Sequence, residues 1–165
     1  MTSESPAAEI RAARLKERVY LSFTALSVLL AMRAHEPEPV GALVTLAITV
    51  LGTLIAVLLA DVVSHMSVHR RLLERHELEH MLYAFFGAVG AVVLPFVFLL
   101  LAAGGVLEIG AALRASTIAL IAALVVIGYT AVRRTPLPLW QKAIALLAEA
   151  TLGLIIIGLE LAVHG

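Results

Sequence analysis

Long runs of apolar residues decide what this chain can fold into. Five such blocks occupy about 15–34, 40–63, 81–103, 106–132 and 140–163, and polar or Pro/Gly-containing links separate them. Because an α-helix rises about 1.5 Å per residue, each block is long enough for the roughly 30 Å hydrocarbon core of a bilayer. The sequence therefore predicts an all-α, polytopic membrane protein with five transmembrane helices in a single membrane domain.

The overall composition supports the same class of protein. Of 165 residues, 61% are hydrophobic and 15% are charged, and twelve basic side chains balance twelve acidic ones. Soluble domains have about 45–50% apolar and about 25% charged residues. These values exclude a soluble enzyme, a disordered chain and a nucleic-acid binder, which would need a basic excess. The absence of cysteine excludes disulfides and thiolate metal sites.

Proline and glycine mark the links between the blocks. Proline pairs separate spans one from two and four from five, and Gly104-Gly105 separates spans three from four. Pro95 lies inside span three, where it predicts a kink that frees the carbonyl of Ala91. Residues 64–80 contain neither Gly nor Pro. We therefore expect span two to continue out of the membrane as a helical extension or hairpin.

Basic residues predict the orientation of the chain. They flank the N-terminus, the link after span two and the link after span four: Arg11, Arg14, Lys16, Arg18, Arg70, Arg71, Arg75, Arg133, Arg134 and Lys142. Because Lys/Arg-rich segments stay in the cytoplasm, we expect a bacterial plasma membrane protein with a cytoplasmic N-terminus and an external C-terminus. A cleaved signal peptide is the alternative for span one, but Met32 stands where cleavage needs a small residue.

Small residues predict where the helices pack. In span two they fall on one face: Thr45, Thr49, Gly52, Thr53, Ala56 and Ala60. Such a face lets membrane helices approach closely. Five helices can hardly enclose a path alone, so we expect a homodimer in the lipid bilayer and no nucleic-acid partner.

Acidic residues inside the predicted spans are candidates for an ion pathway. Glu149 lies seven residues beyond Lys142, and Glu160 shares its face of span five. Together with Asp61 at the end of span two, they could pass a proton or cation along the membrane normal. The alternative is structural, with Glu149 and Glu160 in ion pairs with Lys142 and Arg114.

Histidines follow Asp61 at helical spacing. His65, His69, His76 and His80 continue the series, and two histidines four residues apart on a helix can bind one divalent metal. With Asp61 they form a candidate site for Fe, Mn or Zn. His65-x-x-x-His69 lacks the Glu after the first His that metalloproteases carry. The alternatives are an ordinary solvated helix face or a surface that contacts anionic lipid or a partner through the neighbouring arginines.

The end of span two resembles a known family. The run Ala60-Asp61-Val62-Val63-Ser64 is similar to the end of helix two in the vacuolar iron transporter family. His65 stands where that family has Met, and His69 where it has Glu. The resemblance implies five spans, a cytoplasmic N-terminus and metal ligands at Asp61, His65 and His69. The family's aspartate in helix one has no counterpart in predicted span one, whose polar residues are Ser22, Thr24 and Ser27.

These patterns favour a small transporter or channel for a divalent metal cation or protons. The alternative is a non-transporting membrane scaffold or assembly protein, which would bind a partner or anionic lipid through the basic hairpin. No Gly-x-Ser-x-Gly motif or phosphate-binding glycine loop is present. We therefore expect no enzymatic activity.

Overall fold

The part of the chain that can be described is helical. The computed structural model describes residues 6–35, 37–69 and 75–133, together with the single positions 138, 140, 141, 144, 147 and 151. Its helices are α1 (Pro6–Arg33), α2 (Pro39–His69), α3 (Arg75–Val89), α4 (Val93–Ala103) and α5 (Ile109–Arg133). The predicted all-α class is confirmed for these residues.

Two of the helices begin at proline. Pro6 opens α1 and Pro39 opens α2. Proline suits the first helical position, because its fixed φ is already helical and its missing N–H would have no partner there. The carbonyl of Glu38 accepts the first hydrogen bond of α2 from the N–H of Ala42, at 2.9 Å.

Glycine ends α4. Gly105 has a φ of +73°, the left-handed region that favours glycine. Its N–H donates to the carbonyl of Ala102 at 3.0 Å, and the N–H of Val106 donates to the carbonyl of Leu101 at 2.9 Å. This pair of bonds is a Schellman motif, which satisfies carbonyls that the end of the helix would otherwise leave open. The chain then turns into α5.

The third predicted span consists of two helices. Residues 90–92 form a turn between α3 and α4, with two hydrogen bonds of 3.0 Å that each join residues three apart. Pro95 lies three residues beyond this turn. Its ring is incompatible with a continuous helix through Ala91, so the predicted kink is a complete break. The buried hydroxyl of Ser116 in α5 donates to the carbonyl of Pro95 at 3.4 Å.

Four helices close a bundle. α1 packs on α2, α2 on α4, α4 on α5 and α5 on α1, while α3 packs mainly on α1. The interior is apolar, and its largest fully buried hydrophobic side chains are Leu21, Leu26, Leu29, Leu46, Leu99, Leu113, Leu120 and Val92. Burial of apolar surface therefore holds the bundle together.

The orientation of α2 differs from the predicted one. Ala42, Leu46, Val50 and Leu54 face the core. The small residues expected to form the packing seam are exposed at 45, 52, 56 and 60 and half-buried at 49 and 53. Because α2 is apolar all round, periodicity alone does not identify its inward face. The larger leucines fill the bundle interior instead.

Two helices are long and apolar enough to cross a membrane. They are Pro39–Ser67 and Ile109–Arg133. In the most apolar 18-residue stretch of each helix, 22% and 28% of the residues are buried. The core helix of a soluble protein would be mostly buried, so these low values favour a membrane location. The expectation of five spans is not supported. α1 lacks a long stretch that is apolar and nearly free of charge. The predicted third span is divided into the shorter helices α3 and α4, and most of span five lies outside the described residues.

Candidate functional site

Charged side chains gather where α1 begins and α2 ends. Arg14, Lys16, Glu17 and Arg18 lie on the first half of α1, and Asp61 lies on α2. We call these five residues the charged end of the bundle. Residues at neighbouring positions of a helix point in different directions. Two of the four α1 side chains therefore reach α3, and the other two line a cavity against α2.

Two arginines of the charged end attach α3 to α1. Arg18 Nε donates a hydrogen bond to the carbonyl of Gly87 at 2.8 Å. Carbonyls in the last turn of a helix lack helical partners, and a cation there also interacts favourably with the helix dipole. One turn earlier, the guanidinium of Arg14 lies 4.2 Å from the centre of the Tyr83 ring. This is a cation–π contact.

Glycine makes the close contact between α1 and α3 possible. A Cβ atom at position 87 would lie 2.8 Å from Arg14 Cδ, closer than real Cβ atoms approach other heavy atoms. Gly87 therefore leaves room for the Arg14 side chain along the face of α3. The two arginines and this glycine form one contact, which joins residues nearly seventy positions apart in the sequence.

Glu17 is the buried acid of the charged end. It is only 6% exposed, and its buried Oε2 atom has no hydrogen-bond partner among the residues that the structure describes. Glu17 precedes the apolar stretch 19–32 and lies outside both helices that could cross a membrane. Burial raises the pKa of Glu17, and the nearby Asp61 carboxylate raises it further, against the smaller opposing influence of Lys16 and Arg14. The site therefore disfavours the ionised form of Glu17 relative to an exposed glutamate.

Asp61 has a different environment from Glu17. Its Oδ1 atom lies 3.7 Å from Lys16 Nζ, with the two side chains 29% and 70% exposed. A pair this exposed is worth at most about 1 kcal/mol. The Lys16 ammonium is nevertheless the positive charge next to Asp61. Within the charged end, Glu17 is therefore the acid that has no ion pair of its own.

A cavity lies between α1 and α2 at the charged end. Its volume is about 270 Å³, and its lining consists of Lys16, Glu17, Tyr20, Ala56, Val57, Ala60 and Asp61. A buried acid, an ion pair and a phenol ring thus share a pocket whose remaining walls are small and apolar. A second groove continues from it along α2, and both are lined by Ala56 and Ala60.

The structure describes only part of the predicted sites. Asp61 and the half-buried His65 are described, whereas the side chains of His69, His76 and His80 lie outside the described residues. Glu149 and Glu160 lie outside them altogether. Within the described part of the chain, no three His, Asp or Glu side chains are grouped as metal ligands would be. The metal site and the Glu149–Glu160 pathway therefore stay predictions.

A further sequence signal lies at the start of α3. Residues 76–80 read His-Glu-Leu-Glu-His, and the helical backbone of α3 covers all five. On a helix this spacing places two histidines one turn apart beside a glutamate, the pattern found in zinc hydrolases. The prediction of no enzymatic activity did not take this run into account. The side chains of His76 and His80 lie outside the described residues, so a metal site there stays a prediction.

Sequence reasoning missed Glu17 and the roles of Arg14 and Arg18. It used the basic residues only to orient the chain. A signal for Glu17 was present, because Glu17, Leu21 and Ala25 lie four residues apart, and the last two are core positions. Extending the buried stripe of α1 by one turn towards the N-terminus reaches Glu17. No comparable signal connects Arg14 or Arg18 with α3.

Comparisons with known proteins add no assignment. No protein-family model, no curated protein and no solved structure matches this chain. The resemblance to the vacuolar iron transporter family therefore stays a prediction. The class that the described residues define is a helical protein with two helices apolar enough to span a membrane, and its function is argued from the charged end.

Proposed function

We propose that this chain is a small integral membrane protein that carries protons or a cation across the bilayer, with Glu17 and Asp61 at the cytoplasmic mouth of its path. The observation that carries the proposal is Glu17, a buried acid with an unpartnered oxygen beside a cavity. Ionisable groups inside membrane bundles are costly, and they commonly mark proton or ion pathways. Glu17 was not among the residues predicted to line the path.

The apolar outer surface supports placement in a membrane. Large aliphatic side chains are exposed along the whole length of α2: Val40, Val44, Ile48, Leu51, Ile55, Leu59 and Val63. A contiguous apolar surface of this length is unfavourable in water and favourable against lipid. Basic residues around the start of α1 support a cytoplasmic charged end. A homodimer would let two such bundles share a path.

Proton flux tests the proposal directly. The protein is reconstituted into liposomes that contain a pH-sensitive dye, and a pH step is applied. We expect faster equilibration than in empty liposomes and loss of that flux in Glu17→Gln, because the amide cannot exchange a proton. Glu79→Gln is the matched control, since Glu79 is an exposed acid on α3. Its flux should equal that of the wild type.

Two outcomes would contradict the proposal. One is a rate no faster than that of empty liposomes, and the other is full flux in a folded Glu17→Gln variant. An inactive wild type would favour the alternative, a scaffold that binds anionic lipid or a partner. Arg75, exposed at the start of α3, offers a positive charge for such binding.

The stability of the purified protein provides a second measurement that needs no transport. The pKa of Glu17 is raised above its ordinary value of 4.5, so the folded state binds the proton more tightly than the unfolded state. This contribution to stability is complete below pH 4.5 and is lost as the pH rises through the raised pKa. Glu17→Gln should remove this dependence and raise the melting temperature at neutral pH. Identical pH profiles for the two proteins would show that Glu17 does not titrate abnormally.

The metal version of the proposal has a separate test. Thermal unfolding is followed with Mn²⁺, Fe²⁺, Zn²⁺ and Mg²⁺, in the wild type and in variants that replace His65 and His69 or His76 and His80 by Ala. A ligand at one hundred times its Kd adds about 2.7 kcal/mol to stability. A rise in melting temperature with Zn²⁺ alone, abolished only when His76 and His80 are replaced, would support a zinc site at 76–80. No shift with any metal would remove metal transport from the proposal.

A further inference from the structure

The walls of the cavity at the charged end limit what it can hold. Ala56, Val57 and Ala60 provide an apolar wall, and Tyr20 provides an aromatic one. Glu17, which lines the cavity, is more than nine-tenths buried, and one of its oxygens has no hydrogen-bond partner within the described part of the chain. An occupant should therefore present both an apolar body and one polar group that satisfies a carboxylate.

The charge of the lining sets the charge of the occupant. Lys16 and Asp61 carry opposite charges and lie 3.7 Å apart, so together they contribute no net charge. Ionised Glu17 then leaves the cavity with one negative charge, which one monovalent cation would balance. A divalent ion fits poorly, because Ca²⁺ and Mg²⁺ need about six oxygen ligands. The carboxyl groups of Glu17 and Asp61 and the Tyr20 hydroxyl supply fewer.

We propose that this cavity binds a small organic ammonium ion, with its charge against the Glu17 carboxylate and its alkyl groups against Ala56, Val57, Ala60 and the Tyr20 ring. The cavity volume of about 270 Å³ accommodates a quaternary ammonium of a few carbon atoms. Aromatic rings bind such ions through cation–π contacts. The inference rests on the proposed function, for which it names the class of cation that is carried.

Binding of the ammonium ion is linked to one proton. An ionised carboxylate without a partner is costly in a buried site, so a proton and the ammonium ion compete for Glu17. Wherever Glu17 is protonated, entry of the ion releases that proton to solvent, and Glu17 regains a proton when the ion leaves. The charges that act on Glu17 are Asp61 from α2 and Lys16 and Arg14 from α1 itself. No described charged group of α3 or α5 is among those that shift the pKa of Glu17.

Calorimetry on the full chain in detergent tests the inference, with choline as the probe. The control ligand is the neutral isostere of choline, in which carbon replaces the nitrogen. We expect the isostere and K⁺ to bind at least ten times more weakly than choline, since each lacks one of the two required features. We also expect choline affinity to fall as the pH is lowered, with release of a proton on binding.

Variants locate the binding site. Glu17→Gln should weaken choline binding at least tenfold, and Tyr20→Leu should weaken it more than Tyr20→Phe, which keeps an aromatic face. Glu79→Gln, away from the cavity, should bind as the wild type does. If Glu17→Gln does not fold, Ala60→Leu fills the cavity without changing a charge and should abolish binding.

Specific results would overturn the inference. Equal affinity for choline and its isostere would do so, as would unchanged choline affinity in a folded Glu17→Gln or Ala60→Leu variant. Proton flux without choline binding would overturn this inference and leave the proposed function standing. Proton-linked choline binding without flux of protons or choline would overturn the proposed function and leave the binding site standing.

Discussion

The two halves of the predicted third span attach to the bundle in different ways. α4 buries Leu99, Pro95 and Ala102 against its neighbours and makes no ionic contact among the described residues. α3 is fastened to α1 by Arg18 at the Gly87 carbonyl and by Arg14 on the Tyr83 ring. By hydropathy, residues 81–103 form one apolar segment, but in the structure they belong to two helices with different contacts. Apolar burial fixes α4, whereas α3 combines apolar packing, in which Ala88 is fully buried, with two directional polar contacts.

This difference has a consequence for dynamics. Buried apolar contacts between α4 and α5 are many and distributed, so the loss of one weakens the helix without releasing it. The polar attachment of α3 depends on two side chains. Polar contacts near solvent open locally at lower free energy than a buried core does. We therefore expect the two polar contacts of α3 to open more readily than the buried contacts of α4.

The largest expected effect concerns α4. Leu99→Ala should lower stability by about 2–5 kcal/mol, because Leu99 is fully buried and its truncation leaves a cavity. Thermal unfolding in detergent measures the loss. Leu100→Ala is the control, since Leu100 is 55% exposed on the same helix. Similar losses for the two variants would contradict the placement of α4 and remove the basis of the comparison.

The second prediction concerns the attachment of α3. Arg18→Gln should cost about 1.5 kcal/mol, the lower end of the range for hydrogen bonds to charged groups, because this bond is only partly buried. Hydrogen exchange should increase in 75–89 and stay unchanged in 93–103. Arg18→Lys keeps the positive charge near the end of α3, so its stability should lie between that of the wild type and that of Arg18→Gln. Equal increases in both helices would show that α3 and α4 behave as one unit.

The smallest expected effect is that of the cation–π contact. Tyr83→Leu should cost about 0.5–1 kcal/mol, since Tyr83 is exposed and the contact is only partly shielded from solvent. Tyr83→Phe retains the ring face and should be close to the wild type. A double-mutant cycle with Arg14→Gln isolates the pair. A coupling energy indistinguishable from zero would leave Arg18 as the only polar attachment of α3.

Local sequence signals predicted where the chain turns between helices. Pro39 begins α2, Gly105 terminates α4 through a positive φ, and Pro95 accounts for the break before α4. Each of these residues acts through its own backbone geometry, so its effect is independent of the rest of the fold. The prediction of an unbroken third span failed because hydropathy averages over a window and does not register such a break.

Signals that depend on packing were less informative. Six small residues on α2 predicted a seam, but the fold turns Leu46 and Leu54 inward. For a helix that is apolar on every side, either orientation buries apolar surface, and the neighbouring helices decide between them. Asp61 was identified from the sequence as a site residue, whereas its pairing with Lys16 was not. Exposed ion pairs leave no periodic signature in a sequence.

The sequence by itself determined that the described chain is helical, where its proline and glycine turns lie, and that its surface suits a membrane, because propensity, proline, glycine and hydropathy act locally. Only the tertiary structure decided that Glu17 is buried beside a cavity and that Arg14 and Arg18 hold α3. Burial and long-range contact depend on which helices become neighbours. The same carboxyl group would be an ordinary exposed acid on an isolated helix, and its proposed role comes from the packing of α2 against α1.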